Sequence, residues 1–378
     1  MTFLTVLFIC LLVFYLLFIL RVIHGIGVVS ADRFLVKKDY TPSVTLIIPF
    51  RNEADVILDS LKCAQALDYP GDKLEVIYVD DHSDDEGCAK LKNAISENHI
   101  RIIKNAHKNS RSGQKKGAIL TGINNSTGEV IFTTDADCTF QKNWIKTMVS
   151  KFDENVGFVS GPVFYEDTKT LFEKFQQMEF AGLVLVGAGL IGINKPLLCN
   201  GANIAYKRNV FLSVGGFEDN MNISSGDDEF LMQKIASTGD YEIKFCFENS
   251  ALVSTKGCRT INKFVMQRRR WASKSLFYKD KIKVLSLIMI YLFYLSFPVM
   301  VVLGISTDYL YLRLFWFALV FKGAFELGVL KNAEFLFNKK INKFLFAVAQ
   351  FFHIPYIIII PLLGIYGNYE WKERKLKR

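Results

Sequence analysis

The seven cysteines form no CxxC pair and follow no recurrent spacing, so neither a zinc site nor a disulfide framework is expected. Cys10, Cys63, Cys88, Cys138, Cys199, Cys246 and Cys258 read as reduced thiols, as in a cytosolic domain. No Lys or Arg precedes the first apolar run, and no small-residue cleavage site is evident, which argues against a removable signal peptide. The chain has no internal repeat and no low-complexity linker. What it has in excess is apolar sequence. Of 378 residues, 51% are hydrophobic and 14% aromatic, with a mean hydropathy of +0.21, values that need apolar segments beyond an ordinary core. Lys and Arg outnumber Asp and Glu by 46 to 37, a net charge of +9. Much of that charge flanks the apolar segments, so a phosphorylated substrate or an anionic bilayer surface fits it better than nucleic acid, and no nucleic-acid partner is expected.

Residues 1–24 hold an uninterrupted apolar run, Phe3 to Leu20, about the length of a bilayer core. Arg21, Arg33, Lys37 and Lys38 follow it, which places the next region in the cytoplasm by the positive-inside rule. Residues 42–256 alternate short apolar runs with helical patterns. VTLIIPF, KLEVIYVDD, IRIIK and EVIFTTDAD read as strands separated by helices, the pattern of a mostly parallel α/β sheet with helices on both faces. Ligands bind such sheets at the carboxyl ends of the strands. Two strands end in acids there, at Asp80-Asp81 and at Asp135-Asp137, two walls of one expected cleft. GFVSGPV reads as one further strand, Leu171 to Leu190 as a core, acceptor-lining or membrane-facing helix, and CNGANIAYKR as loop. Residues 257–283 are basic and aromatic, fitting an amphipathic helix at the membrane interface. Residues 284–367 contain three runs long enough to span, Val284 to Ile305, Tyr309 to Leu330 and Phe344 to Tyr366. Three spans would put the basic tail, residues 368–378, outside, whereas its charge asks to be inside; Pro355 and Pro361 leave room for a broken or re-entrant last segment.

Asp135 and Asp137 stand i and i+2, a spacing that shares one face of a strand and suits Mg²⁺ or Mn²⁺, which take oxygen ligands and need few carboxylates when phosphates supply the rest. Alone, the pair is also common on surfaces. Lys115 and Lys116, between Gly113 and Gly117, fit either solvated lysines or phosphate contacts at a helix start. Asp80 and Asp81 end the second strand, and one of them fits a contact to base or ribose, with capping by Asp81, Ser83 or Asp84 as the bland account. Asp227, Asp228 and Glu229 fit either helix capping or a general base. Gln267, Arg270 and Trp271 fit a phosphate clamp with a flat face for a sugar ring, or a basic surface helix.

Taken in order, these motifs resemble the membrane-bound branch of family 2 glycosyltransferases, the group of cellulose, hyaluronan and poly-N-acetylglucosamine synthases and ceramide glucosyltransferases. The carrying residues are Pro49-Phe50-Arg51-Asn52-Glu53, VDDHSDD at Asp80, Gln114-Lys115-Lys116-Gly117-Ala118, Asp135-Ala136-Asp137, GDDEFL at Asp228 and Gln267 to Trp271. The resemblance implies a GT-A fold, a nucleotide-diphospho-sugar donor, most simply a UDP-sugar, and inversion at the anomeric carbon. It implies that Pro49, Asn52, Glu53, Asp80, Lys115 and Asp135 meet the donor, and that Asp137 with Asp135 holds Mg²⁺ or Mn²⁺. It further implies that Asp228 is the base, and that Gln267, Arg270 and Trp271 close over diphosphate and acceptor. The acceptor would be a membrane lipid or lipid-linked glycan, and the enzyme an integral protein of the cell inner membrane. The family's base motif is usually Thr-Glu-Asp or Gly-Glu-Asp; here it is Gly226-Asp227-Asp228, which makes Asp227 a rival. The single N-terminal span favours a lipid acceptor over a processive polysaccharide synthase. A reading of another class is a non-catalytic nucleotide-binding subunit of a polysaccharide export assembly.

Overall fold

A computed structural model of the chain describes residues 3–32, 40–107, 114–166, 168–221, 223, 226–365, 369–371 and 374–376. Gly113 lies outside them. After the long helix α1 (Phe3–Ala31), the chain alternates β1 (Val44–Phe50), α2 (Ile57–Gln65), β2 (Leu74–Asp80), α3 (Gly87–Ala94), β3 (Ile100–Lys104), α4 (Gln114–Asn124) and β4 (Val130–Thr133). These four strands are all parallel, in the order β3-β2-β1-β4. Every residue of β1 is buried, as a strand covered on both faces requires. The side chains alternate between two cores. Ile47, Ile77 and Ile131 enter the one continuous with the long helices, and Leu46, Ile48, Val76, Tyr78 and Phe132 enter the other, under α2 and α5 (Trp144–Val149).

Beyond β4 the sheet becomes mixed. GFVSGPV divides at Gly161-Pro162 into β6 (Val156–Ser160) and β7 (Val163–Glu166), which join different sheets. The segment expected to be loop contributes β8 (Ile204–Lys207), antiparallel to both β4 and β6 in the middle of the sheet. Four residues among Gly, Asn and Lys carry too little pattern to announce a strand; pairing on both edges makes it one. β6 also pairs with β9 (Glu242–Phe245), completing a seven-stranded sheet, while β5 (Thr139–Phe140), β10 (Val253–Lys256) and β7 form a small second one.

The remaining helices are α6 (Leu171–Gly192), α7 (Arg208–Ser213), α8 (Glu229–Thr238), α9 (Ile261–Ser273), α10 (Lys281–Ser306), α11 (Leu310–Leu336) and α12 (Lys343–Ile365). By length and composition, α1, α6, α10 and α12 can cross a membrane. α11 was expected to span but is not among them: it is long enough, yet carries Arg313, Lys322, Glu326 and Lys331. Two of these charges are buried together. Lys322 Nζ lies 2.9 Å from Glu326 and donates to Gln350 Oε1 at 2.6 Å. Glu326 also accepts from Tyr15 and, at 3.1 Å, from Tyr294, which meets His353 Nδ1 at 3.3 Å. This network joins α1, α10, α11 and α12, the satisfied state that polar groups need at such depth.

α6 starts and ends on the sheet domain, between β7 and β8, and crosses α1 at glycines. A Cβ on Gly189 would lie 2.4 Å from Val22 O, and one on Gly25 would lie 1.9 Å from Gly189 O. Only glycine permits that backbone approach. α12 runs between the end of α11 and α9. Its start follows α11, whose last turn meets the sheet domain: Asn249 donates to Leu336 O at 3.0 Å and Phe164 stacks on Phe337. Its middle reaches Tyr294 and Lys322, and its end packs on α9, where Arg269 Nε donates to Leu363 O at 3.1 Å.

Candidate active site

The sheet places the carboxyl ends of β1, β2 and β4 at the mouth of a cavity of about 1680 Å³. Pro49, Glu53, Asp81, Lys115, Asp135, Asp137, Asp227, Asp228 and Glu229 line the end nearest the sheet, with Gln267, Arg270 and Trp271 across from them. Nine residues named from sequence thus meet in one cavity. Asn52 and Asp80 do not line it. Asp80 Oδ1 accepts from Ser83 N at 2.9 Å, and Asn52, held at φ 52°, accepts from Asp84 N through Oδ1. Both shape the paired loops after β1 and β2, which Arg51 ties together through Asp84 at 2.7 Å. The acid that faces the cavity from β2 is Asp81, fixed by Asn105 Nδ2 at 2.7 Å.

Asp135 and Asp137 converge for a different reason from the expected one. β4 ends at Thr133, and the acids lie on the tight turn that follows, closed by Cys138 N to Asp135 O at 3.1 Å. The turn, and not the strand pleat, brings ligand atoms of Asp135, Asp137 and Cys138 within 4.8 Å of one another. Burial pushes the Cys138 thiol well up, with Asp137 and Asp135 adding to it. A protonated thiol is a poor ligand, so the donor set is two carboxylates and fits a hard oxygen-seeking cation completed by phosphate or water.

Lys115 sits between carboxylates, 2.6 Å from Asp135 and 3.4 Å from Asp227. Burial alone would lower its pKa; the two acids outweigh it and hold the ammonium well above its ordinary value. Asp227 is lowered in turn, burial being outweighed by Lys115 and Lys116. Lys116 does not face phosphate. It is buried, its ammonium donates to the carbonyls of Asn220 at 2.7 Å and Ile223 at 3.0 Å, and burial brings it down to about 8.

Asp228 is the N-cap of α8: Oδ1 accepts from Glu229 N at 2.7 Å and Oδ2 from Gly201 N at 2.8 Å. Capping and a catalytic role are therefore compatible, since each oxygen keeps a second lone pair. A Cβ on Gly201 would come within 3.1 Å of Asp227 Oδ2 and 3.3 Å of Lys115 Nζ, so both side chains would have to give by a few tenths of an ångström. Glu229 is buried and raised to about 7, burial dominating over the nearby Lys274.

Within α9 the arginines differ. Arg270 lines the cavity, whereas Arg268 is buried against Glu179 of α6 and lies 4.2 Å over the Trp271 ring. Tyr356 of α12 donates to the same Glu179 at 3.0 Å. Arg268 thus anchors the clamp helix to α6 and α12. Sequence reasoning missed Gly201, Arg268 and Lys274; no spacing distinguishes them from their neighbours.

The chain belongs to the glycosyl transferase family group 2, whose model matches residues 130–325, and the model of glycosyl transferase family 2 matches residues 45–214. It is 30% identical over 237 residues to the probable glycosyltransferase YdaM of Bacillus subtilis, covering 61% of this chain and 54% of YdaM. It is 27% identical over 241 residues to the poly-beta-1,6-N-acetyl-D-glucosamine synthase of Staphylococcus aureus, covering 62% and 55%. The chain therefore spans about half the length of these relatives. The mannosyltransferase PcManGT of Pyrobaculum calidifontis, solved with GDP-Man and Mn²⁺, superposes with a TM-score of 0.55 at 18% identity, over 94% of this chain and 99% of that one, and shows the same fold.

Proposed function

We propose that this protein is an inverting, metal-dependent glycosyltransferase that moves a sugar from a nucleotide diphosphate to an acceptor with a membrane-embedded apolar part. One observation carries the reading: the cavity that begins at Asp135, Asp137 and Asp228 continues, unbroken, between apolar walls of α6, α10 and α12, among them Val186, Leu287, Ile288 and Ile357. A water-soluble acceptor has no use for such walls, whereas a hydrocarbon chain gains about 0.8 kcal/mol per buried methylene.

Asp81 and Glu53 face the nucleoside, Lys115 and Arg270 the diphosphate. Asp137 and Asp135 would hold Mg²⁺ or Mn²⁺, which offsets charge on the departing diphosphate when bound. Asp228 takes the proton from the acceptor hydroxyl. The freed oxygen pair bonds to the anomeric carbon as the bond to the diphosphate oxygen breaks, and that electron pair leaves with the nucleoside diphosphate. Attack from the face opposite the leaving group inverts the centre. Trp271, already packed on Phe180 and Arg268, presents its remaining face to the sugar.

The test is turnover of the full chain in phosphatidylethanolamine/phosphatidylglycerol vesicles with UDP-glucose, UDP-N-acetylglucosamine and GDP-mannose, with Mn²⁺ or Mg²⁺. The vesicles are supplied with a polyprenyl phosphate or a diacylglycerol. Nucleoside diphosphate release that depends on the lipid acceptor, with one adduct per acceptor, is expected. A ladder of products instead supports a processive synthase, the activity named for the S. aureus relative. Lack of release with every pair of substrates would leave the non-catalytic subunit as the better account.

The catalytic domain lies in the cytoplasm on this reading, from Arg21, Arg33, Lys37 and Lys38 after α1. On this reading α12 enters and leaves on that same side, since it follows α11, whose last turn meets the sheet domain, and ends on α9. Pro355 and Pro361 lie within it, each removing a backbone donor and weakening a straight crossing. The basic tail then lies in the cytoplasm, as its charge asks. A reporter fused after Arg378 should be labelled from the same side as a cysteine introduced at the exposed Lys92 of α3. Labelling from opposite sides would mean a full crossing.

A further inference from the structure

We propose that Gly182, in the middle of α6, is a specificity-determining residue for the acceptor: the side chain it lacks leaves room for the acceptor's hydrocarbon chain to run from the reaction centre into the apolar part of the cavity. The inference rests on the reading above that the acceptor has such a chain. α6 turns two different faces to its surroundings. Ala181, Leu185 and Ala188 are buried in the core, whereas Phe175, Glu179, Gly182, Leu183 and Val186 line the cavity. At 3.6 residues per turn the second set falls on one side of the helix. Gly182 alone of these five has no side chain.

Packing gives no reason for glycine at this position. The other three glycines of α6 are each held by a close backbone approach: a Cβ would lie 2.8 Å from Leu198 O at Gly187, and closer still to Val22 O at Gly189 and to Gly25 O at Gly192. At Gly182 the nearest atom to a Cβ is Leu330 Cδ2 at 3.7 Å, an ordinary contact, and Leu330 lines the cavity as well. Glycine inside a helix weakens it relative to alanine. A residue that weakens its helix and relieves no clash is explained by the space it leaves, and that space is the cavity. Its place along α6 says which part of the acceptor it meets. Glu179, about 4.5 Å back along the axis, is paired with Arg268 of the clamp helix. Gly187, about 7.5 Å onward, abuts Leu198, three residues before the Gly201 N–H that donates to Asp228. Gly182 therefore borders the part of the chain nearest the reacting hydroxyl, which every acceptor of this kind must thread past it.

The test is a size series, Gly182→Ala, Gly182→Leu and Gly182→Phe, in the vesicles above with the sugar nucleotide and lipid that turn over, and thermal melting alongside. Acceptor KM is expected to rise stepwise, about threefold at alanine, with kcat/KM for the acceptor down about tenfold or more at leucine, the scale on which a hydrophobic site rejects extra methylenes. Donor KM should stay within about twofold, because no nucleotide-facing residue is touched. Gly182→Ala should melt no lower than the unsubstituted protein, since alanine fits an unstrained helical position. A merely structural role gives a different pairing, a lower melting temperature with donor and acceptor affected alike. An acceptor KM flat across the series, a donor KM that rises with it, or destabilisation by alanine overturns the inference; if the larger variants do not fold, alanine decides by the same readouts. Turnover of the unsubstituted chain that needs no lipid, or no turnover at all, would remove the lipid reading and this inference with it, whereas lipid-dependent turnover with a flat series removes this inference alone.

Discussion

Asp228→Asn is expected to lower kcat by about 10³-fold while donor affinity changes less than about threefold, the range for loss of a general base. The substitution is nearly isosteric, but the amide offers one acceptor oxygen where the carboxylate offers two, so it keeps either the α8 cap at Glu229 N or the bond from Gly201 N, and thermal melting measures that structural cost separately. What is lost is the carboxylate's capacity to take a proton. Asp227→Asn supplies the contrast. Asp227 pairs with Lys115 at 3.4 Å, and its removal alters the charge of the lysine that faces the diphosphate. Its expected effect is on donor KM, with kcat reduced about tenfold or less. Kinetics that reverse the two patterns would hand the base role to Asp227.

Asp137→Asn is expected to cut activity about 10²- to 10³-fold at fixed Mn²⁺, on the scale of losing one preorganised charge partner for the leaving group. Raising the metal concentration should recover part of it, because Asp135 remains. Mn²⁺ titrations followed by electron paramagnetic resonance should show weaker binding to the variant in the presence of UDP. Unchanged Mn²⁺ affinity would move the metal elsewhere. Cys138→Ser is the control: its thiol is held protonated by burial, so activity should stay within about twofold. Lys115→Met provides a further comparison, since its ammonium now occupies Asp135 at 2.6 Å. A cation arriving at Asp135 competes with that pairing and frees Lys115 toward the diphosphate oxygens.

The two charged clusters are built on opposite principles. Around Asp228 the protein leaves carboxylates adjacent, with Lys115 3.4 Å from Asp227 and Lys274 3.0 Å from Glu229, an arrangement that costs desolvation. Around Glu326 it closes every bond within a four-helix polar network. Interhelical hydrogen bonds in membranes contribute only about 0.6 kcal/mol each, so that network fixes which helices meet more than how strongly they hold.

Local chemistry made much of this legible from the chain. Buried β1, β2 and β4 follow from continuous apolar runs, α8 from an acidic first turn, and the apolar helices from length and hydropathy; these properties reside in consecutive residues. Asp137, Asp228, Arg270 and Trp271 could be named because each sits in a run whose local physics is unusual. β8 could not, since its strand character is conferred by two neighbours distant in sequence. Nor could the choice between Asp80 and Asp81 as the acid lining the cavity, which turns on a single step of the chain direction after β2, or the burial of Lys116 beside a cavity-facing Lys115. Only the folded arrangement decided that α12 ends against α9, and that Lys274 stands between two carboxylates. Both depend on which surfaces of separate helices come into contact, and a linear sequence does not carry that information residue by residue.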